Sequence, residues 1–109
     1  MYEYIVQIGR FVDADQPGWV ECELVDANGR HHIIREKVPV LTAERLDANS
    51  EYPIPCGILC EVLERYNDEK GHELALITTK KPWWIESVEG LTEFVVPAAL
   101  VTLSTWSPQ

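Results

Sequence analysis

The clearest pattern in the chain is an alternation of apolar and polar side chains close to its N-terminus. Along residues 2–13 most even positions are apolar, and the odd positions include Glu3, Gln7 and Asp13. Successive side chains of a β-strand point to opposite faces, so this period of two predicts a strand with one buried face. The predicted inward residues are Tyr2, Tyr4, Val6, Ile8 and Val12.

Two further segments have the pattern of β-hairpins. The first covers residues 19–40 and turns at Asn28-Gly29, and Asn-Gly between extended segments is a strong hairpin signal. The second covers residues 58–80 and turns at the polar stretch 67–71. We therefore expect four of the strands to be joined in two antiparallel pairs.

A short internal similarity accompanies the hairpins. Residues 22–26, Cys-Glu-Leu-Val-Asp, resemble residues 60–64, Cys-Glu-Val-Leu-Glu, and each segment opens a hairpin. Two strands built on one alternating pattern account for this similarity better than a duplication does.

These elements together predict an all-β protein. Five or six strands with hairpin connections have to stack or curl in order to bury one apolar face. We expect a small, bent antiparallel barrel, SH3-like in preference to OB-like, with at most one or two short helical turns. Residues 1–104 should form this single domain, residues 41–57 its longest irregular stretch, and residues 105–109 a frayed tail.

The net charge of the chain limits the classes of partner that we expect it to bind. The chain has 109 residues, and 18 acidic against 9 basic residues give a formal charge of −9. Nucleic acids and anionic membranes are bound largely through Lys and Arg, so neither is an expected partner, whereas a basic protein would be attracted. No apolar run approaches the roughly 20 residues of a membrane span, and no signal peptide begins at Met1. The three cysteines are irregularly spaced, which does not fit a disulfide framework. We therefore expect a cytoplasmic protein.

The candidate groups for chemistry are Cys22, Cys56, Cys60, His31, His32 and His72. His31 and His32 are neighbours on a predicted strand and point to opposite faces, so they do not easily share a metal ion. Cys22 and Cys60 fall on inward positions, where a thiol is unreactive. A phosphate-binding glycine loop, a nucleophile elbow and a zinc-protease motif are all absent from the sequence. The sequence therefore predicts neither an enzyme nor a metal or cofactor site.

Tryptophans are the strongest candidates for binding. Trp83 and Trp84 are consecutive in a segment predicted to be extended, so one side chain should face the core and the other the solvent. An exposed tryptophan beside an acidic surface is a typical contact residue between proteins. Trp19, which follows a Pro-Gly turn, and Trp106 near the C-terminus are further candidates. The alternative is that each of them covers an open end of the barrel.

Four segments resemble a family of short, uncharacterised bacterial proteins of about this length. They are residues 16–22 (Gln-Pro-Gly-Trp-Val-Glu-Cys), 26–29 (Asp-Ala-Asn-Gly), 36–40 (Glu-Lys-Val-Pro-Val) and 85–94 (Ile-Glu-Ser-Val-Glu-Gly-Leu-Thr-Glu-Phe). The resemblance extends from about residue 3 to about residue 100. It implies no catalytic or cofactor residue, because no activity is assigned to the family, and the site predictions therefore depend on this sequence alone.

The favoured hypothesis is a non-catalytic bacterial protein-interaction module that binds a protein partner through Trp83, Trp84 and Trp19. One alternative is an immunity- or antitoxin-like protein that covers a basic partner, whose approach an acidic surface would speed. The other alternative is a small Cys/His enzyme or metal-binding protein.

Overall fold

A computed structural model describes residues 1–104, and the predicted tail 105–109, with Trp106, lies outside the described residues. The elements in chain order are β1 (Tyr2–Asp13), β2 (Trp19–Val25), β3 (His31–Lys37), the helical turn α1 (Val38–Leu41), β4 (Ile54–Asn67), β5 (Glu73–Thr78), β6 (Glu93–Pro97), a 3₁₀ turn (Ala98–Leu100) and β7 (Val101–Leu103). The prediction of an all-β fold with short helical turns is confirmed.

The strands form one antiparallel sheet in the order β3-β2-β1-β4-β5-β6, and β7 pairs with the start of β1. Two long strands change partner along their length. β1 pairs with β4 through Tyr2–Ile8 and with β2 through Gln7–Asp13. β4 pairs with β1 through Ile54–Cys60 and with β5 through Glu61–Asn67. The sheet is curled into a half-barrel, which agrees with the predicted small, bent barrel.

Bulges in β1 decide which of its residues face the core. The register with β2 shifts after Ile8 and again after Phe11. The inward positions before the first shift, Tyr4, Val6 and Ile8, are buried as predicted. Beyond it, Phe11 packs against the core while Val12 is 38 % exposed. The prediction that Val12 faces inward is wrong, because an extra residue in the strand reverses the alternation.

The core lies inside the curl and draws on every long strand. Its largest fully buried apolar side chains are Ile8, Val20, Cys22, Leu24, Ile34, Ile58, Cys60, Ile77, Ile85 and Val96. β4 already begins at Ile54, so the irregular stretch after α1 is shorter than residues 41–57.

Hydrogen bonds between loops and strands connect the two free edges of the half-barrel. The Ala27 N–H, in the β2–β3 turn, donates to the Val95 carbonyl of β6 at 2.8 Å. The Val88 N–H, in the connection between β5 and β6, donates to the Ile33 carbonyl of β3 at 2.8 Å. The edges of this half-barrel are therefore covered by neighbouring loops rather than by a further strand.

Both hairpins turn through the same hydrogen-bonded loop, over residues 26–30 and 68–72. In each turn, one carboxylate oxygen of the leading aspartate accepts the backbone N–H groups two and four residues later, at 2.8–3.0 Å. The fourth residue is a glycine with a left-handed φ of 77° (Gly29) or 82° (Gly71), which other residues rarely adopt. The structural repeat thus pairs Asp26 with Asp68, and not with Glu64 as the sequence similarity suggested.

The two aspartates differ in the histidine that each one binds. The second carboxylate oxygen of Asp26 accepts a hydrogen bond from Nε2 of His32 at 2.8 Å, and His32 is only 3 % exposed. The same oxygen of Asp68 lies 3.0 Å from Nδ1 of His72, whose side chain is 69 % exposed. Desolvation acts to raise the pKa of Asp26, but hydrogen bonds from His32 and from the backbone outweigh it and hold that pKa below its ordinary value.

We expect Asp26→Ala to destabilise the protein far more than the matched substitution Asp68→Ala. Each removes the same two turn hydrogen bonds, but Asp26→Ala also strands the imidazole of His32, whose Nδ1 already has no partner within the described residues. The expected loss is about 2–4 kcal/mol for Asp26→Ala and clearly smaller for Asp68→Ala. Urea unfolding at neutral pH measures both, and equal losses would contradict the role given to His32.

The difference between wild type and Asp26→Ala should also depend on pH. Because the pKa of Asp26 is lowered in the folded state, its stabilisation is present above the ordinary value of 3.8 and is lost as the pH falls through the folded value. The difference in unfolding free energy should therefore shrink in acid. A difference that stays constant down to the acid limit of folding would refute this assignment.

Candidate interaction surface

The connection between β5 and β6, residues 79–92, displays several large apolar side chains to solvent. We call it the tryptophan loop. Its exposed members are Trp83 (45 %), Trp84 (59 %), Val88 (56 %) and Leu91 (38 %). Apolar side chains grouped on one short segment are typical of a surface that contacts another molecule.

A buried threonine fixes both ends of the tryptophan loop. Thr79 is fully buried, and its Oγ1 donates to the carbonyl of Ile85 at 2.5 Å. The Ile85 N–H donates back to the Thr79 carbonyl at 2.9 Å, and the Thr79 N–H donates to the Thr92 carbonyl at 2.8 Å. Ile85 itself is in the core. The first and last residues of the loop are therefore held together beneath the exposed tryptophans.

A second anchor lies in the later half of the loop. The Ser87 N–H donates to the Leu91 carbonyl at 2.9 Å, and the Leu91 N–H donates to Oγ of Ser87 at 3.1 Å. Ser87 is buried, and the adjacent Val88 is the residue bonded to Ile33 of β3. The loop is thus joined to the strand on the far edge of the half-barrel.

Trp84 has a left-handed backbone that is rare for its residue type. Its φ is 52°, the only positive φ of a non-glycine residue within residues 1–104. The Trp84 N–H donates to the Lys80 carbonyl at 2.9 Å, which closes a turn. The expectation that Trp83 and Trp84 lie in an extended segment and alternate between core and solvent is wrong, because this turn leaves both side chains exposed.

Charged groups flank the ring of Trp84. The Lys80 ammonium lies 5.7 Å from the ring centroid, within the range of a cation–π contact. The indole Nε1 donates a long hydrogen bond of 3.4 Å to the Glu86 carboxylate. Lys81 follows in sequence, so the acidic excess of the chain is not concentrated beside Trp84.

Trp83 lines a surface cavity of about 360 Å³ on the outer face of β1 and β4. The side chain of Glu3 crosses this face over Gly57, where an added Cβ would lie 2.6 Å from Oε2 of Glu3. Leu59, which is 8 % exposed, lines the same cavity. The cavity therefore combines apolar walls with one carboxylate.

Trp19, the third predicted binding residue, belongs to β2 and not to the tryptophan loop. It is half-buried, and the Lys37 ammonium of the adjacent strand lies 5.6 Å from its ring centroid. Its ring thus already has a cationic neighbour within the sheet.

Part of the acidic charge is balanced on the outer face of the half-barrel. Glu21 accepts hydrogen bonds from Arg10 at 3.1 Å and from Arg35 at 3.0 Å, across three adjacent strands. These two bonds lower the pKa of Glu21. The Glu21 carboxylate is therefore neutralised by neighbouring arginines on this face.

The groups considered for catalysis are buried or engaged. All three cysteines are buried, and desolvation raises the pKa of each, to about 11 for Cys56 and about 12 for Cys60. Each histidine lies beside one carboxylate: His31 beside Glu23, His32 beside Asp26 and His72 beside Asp68. Within the described part of the chain, no group of three His, Cys, Asp or Glu side chains is placed to hold a metal ion.

Among residues 1–104, no helix is long and apolar enough to cross a membrane. No protein family, curated protein or solved structure matches the chain.

Sequence reasoning did not find Thr79, Ser87 or the left-handed Trp84. The available signal was two small hydroxyl residues in the segments that flank an aromatic pair, because buried hydroxyls commonly bond to loop carbonyls.

We expect Thr79→Val to loosen the tryptophan loop, since valine keeps the shape of threonine but cannot donate to Ile85. The expected loss of stability is about 1–2 kcal/mol, together with faster tryptic cleavage after Lys80. Thr78→Val is the matched control, because Oγ1 of Thr78 only accepts one long bond of 3.3 Å from the Lys80 N–H. Equal effects of the two substitutions on cleavage would contradict the anchoring role of Thr79.

The cysteines should be inert in the folded protein. At neutral pH we expect iodoacetamide to modify Cys22, Cys56 and Cys60 at least about 100-fold more slowly than in denaturant, since only the thiolate reacts. Mass spectrometry of the alkylated peptides measures each rate. One thiol reacting in the native state as fast as in denaturant would favour the alternative of a cysteine enzyme.

Proposed function

We propose that the protein is a non-catalytic, cytoplasmic protein-interaction module of bacterial origin, related to the family that its sequence resembles, and that Trp84 is its main contact residue. The observation that carries the proposal is the display of Trp84, 59 % exposed on a loop whose backbone is anchored in the core. Trp83 and Trp19 are secondary members of the predicted surface.

The anchoring of the tryptophan loop favours binding because its backbone has little conformational freedom left to lose when a partner binds. Ordering a flexible loop in a complex opposes association, whereas the backbone of the tryptophan loop is already held at Thr79 and Ser87. Tryptophan is also enriched among the few residues that contribute most to binding energy. A recess on the partner that encloses the ring of Trp84 would bury a large apolar area.

The charge of the chain favours a basic partner. A formal charge of −9 attracts a cationic protein over the Debye length and accelerates encounter. Lys80 and Lys81, next to Trp84, do not contribute to that attraction, so the contact at the tryptophan loop itself is apolar. In this proposal the charge sets the rate of association and the tryptophan sets the lifetime of the complex.

The acidic charge also supports the second candidate, an immunity- or antitoxin-like protein that covers a basic partner. The two candidates differ in which residues hold the partner. An immunity-like complex would depend on carboxylates and would weaken steeply with salt, whereas the interaction module depends on Trp84. The third candidate, a Cys/His enzyme or metal-binding protein, has less support because the thiols are buried and the histidines are paired with single carboxylates.

The test is affinity capture from a lysate of the organism that encodes the protein, followed by binding measurements with the captured partner. We expect wild type to enrich one protein with a net positive charge. Trp84→Ala should lower its affinity by at least about 30-fold, or about 2 kcal/mol, mainly through faster dissociation. Leu100→Ala is the matched control, because Leu100 is 49 % exposed but lies outside the tryptophan loop.

Three results would decide against the proposal. Enrichment of no protein by wild type would remove the basis for an interaction module. Equal binding by Trp84→Ala and wild type would exclude the tryptophan loop as the contact. Loss of binding on substitution of carboxylates, with no effect of Trp84→Ala, would favour the immunity-like candidate.

A further inference from the structure

A second cavity lies at the opposite end of β5 and β6 from the tryptophan loop. Its volume is about 440 Å³, within the range of small-molecule sites. Three segments line it: the first hairpin turn at residues 27–28, the second turn with the start of β5, and the 3₁₀ turn with the end of β6. We call it the turn cavity, and the proposed function makes no use of it.

The walls of the turn cavity are held in place by hydrogen bonds inside the protein. Both hairpin turns are closed by an aspartate that accepts two backbone N–H groups. The Ala27 N–H also donates to Val95, which ties the first turn to β6. On the third side, Ala98 is buried at 4 % exposure. The cavity is therefore formed before any ligand arrives.

Its surface combines an apolar lining with an anionic rim. Leu74, Pro97 and Ala98 supply apolar contacts. Asp68 and Glu73 supply carboxylates. The hydrogen bond from the His72 backbone N–H is the largest cause that lowers the pKa of Asp68, which favours its ionised form.

The cationic groups near the rim leave the Glu73 carboxylate largely available, whereas Oδ2 of Asp68 lies 3.0 Å from Nδ1 of His72, which also lines the turn cavity. Arg65 lies 3.7 Å from the Glu73 carboxylate, but both side chains are well exposed, so the pair is weak. Within residues 1–104, no Lys or Arg side chain lines the turn cavity. Lys70 lines an adjoining cavity that shares Asp68 and His72. The rim therefore complements a positive group.

We propose that the turn cavity binds a small organic amine, with its apolar body against Leu74, Pro97 and Ala98 and its primary ammonium at Asp68 and Glu73. A compact free amine suits walls on three sides better than a lysine of a polypeptide, whose chain has to continue in both directions. This site is independent of the tryptophan loop.

The test follows backbone amide signals by NMR during titration of the full-length protein with 2-phenylethylamine. We expect shifts at residues 27–28, 72–74 and 97–99, and saturation. The matched anion, 3-phenylpropanoate, should bind at least about fivefold more weakly, because its charge is repelled at the rim. Methylamine, which lacks the apolar body, should cause no saturable shift.

Variants locate the site without relying on one substitution. Glu73→Gln, combined with Asp68→Asn, which keeps the turn acceptor, should weaken the amine by at least about fivefold. Ala99→Trp, from an exposed position on the cavity wall, should abolish binding by filling the space. Glu64→Gln removes an exposed carboxylate elsewhere on the surface and should leave the affinity unchanged.

The proposal is overturned if phenylethylamine shifts no signal near the cavity, if the carboxylate binds as tightly as the amine, or if Ala99→Trp has no effect. It is also overturned if Nα-acetyl-lysine amide binds more tightly than phenylethylamine, because the occupant would then be a lysine side chain of a protein. Failure of Trp84→Ala to affect protein binding has no bearing on these results, so the two proposals fail separately.

Discussion

The bend of β1 and β4 is the constraint on which the rest of the structure depends. The first half of β1 pairs with β4 and β7 and its second half with β2, whereas β4 pairs first with β1 and then with β5. Because both strands change partners along their length, the sheet cannot stay flat. Register shifts in both strands allow the change of partner, since a bulge increases local twist. The curl encloses one core and brings β3 and β6 close enough for loops to bridge them. The tryptophan loop is one of those bridges, through the bond from Val88 to Ile33.

The exposed tryptophan loop is held in place by polar groups in the interior of the protein. Thr79 and Ser87 are buried, yet both have hydrogen-bond partners inside the protein, so their burial does not leave orphaned donors or acceptors. The bonds of Thr79, together with the bond from the Trp84 N–H to the Lys80 carbonyl, hold Trp84 in a left-handed conformation that costs a residue with a Cβ on the order of 1 kcal/mol. The protein thus maintains a strained, exposed tryptophan, and we interpret that combination as a functional feature.

Periodicity predicted most of the fold, and it failed where the backbone departs from regular geometry. Tyr4, Val6 and Ile8 are buried as their spacing predicts, whereas Val12 is exposed because bulges precede it. A two-residue period contains no information about where an extra residue is inserted. The hairpin at Asn28-Gly29 was predictable, since its glycine adopts the left-handed φ that the turn requires.

The candidate site was predictable in residue type but not in arrangement. Two consecutive tryptophans marked the segment, but an extended strand was the wrong conformation for them. No propensity favours a left-handed tryptophan. The hydrogen bonds that impose it are donated by the Thr79 hydroxyl to Ile85 and by the Trp84 N–H to the Lys80 carbonyl. The turn cavity was not predicted from the sequence for a similar reason. Two of its walls are the equivalent turns that begin at Asp26 and Asp68. The similarity of the preceding strands aligns Asp26 with Glu64 instead, so it did not reveal that the turns are equivalent.

The central claim is that the backbone beneath Trp84 is ordered before any partner binds. Hydrogen exchange of individual backbone amides in the free protein tests it directly. The account predicts that the amides of Ile85 and Ser87, which donate to Thr79 and Leu91, exchange at least about 100-fold more slowly than in an unstructured chain. Exchange of both amides at the rate of an unstructured chain would contradict it.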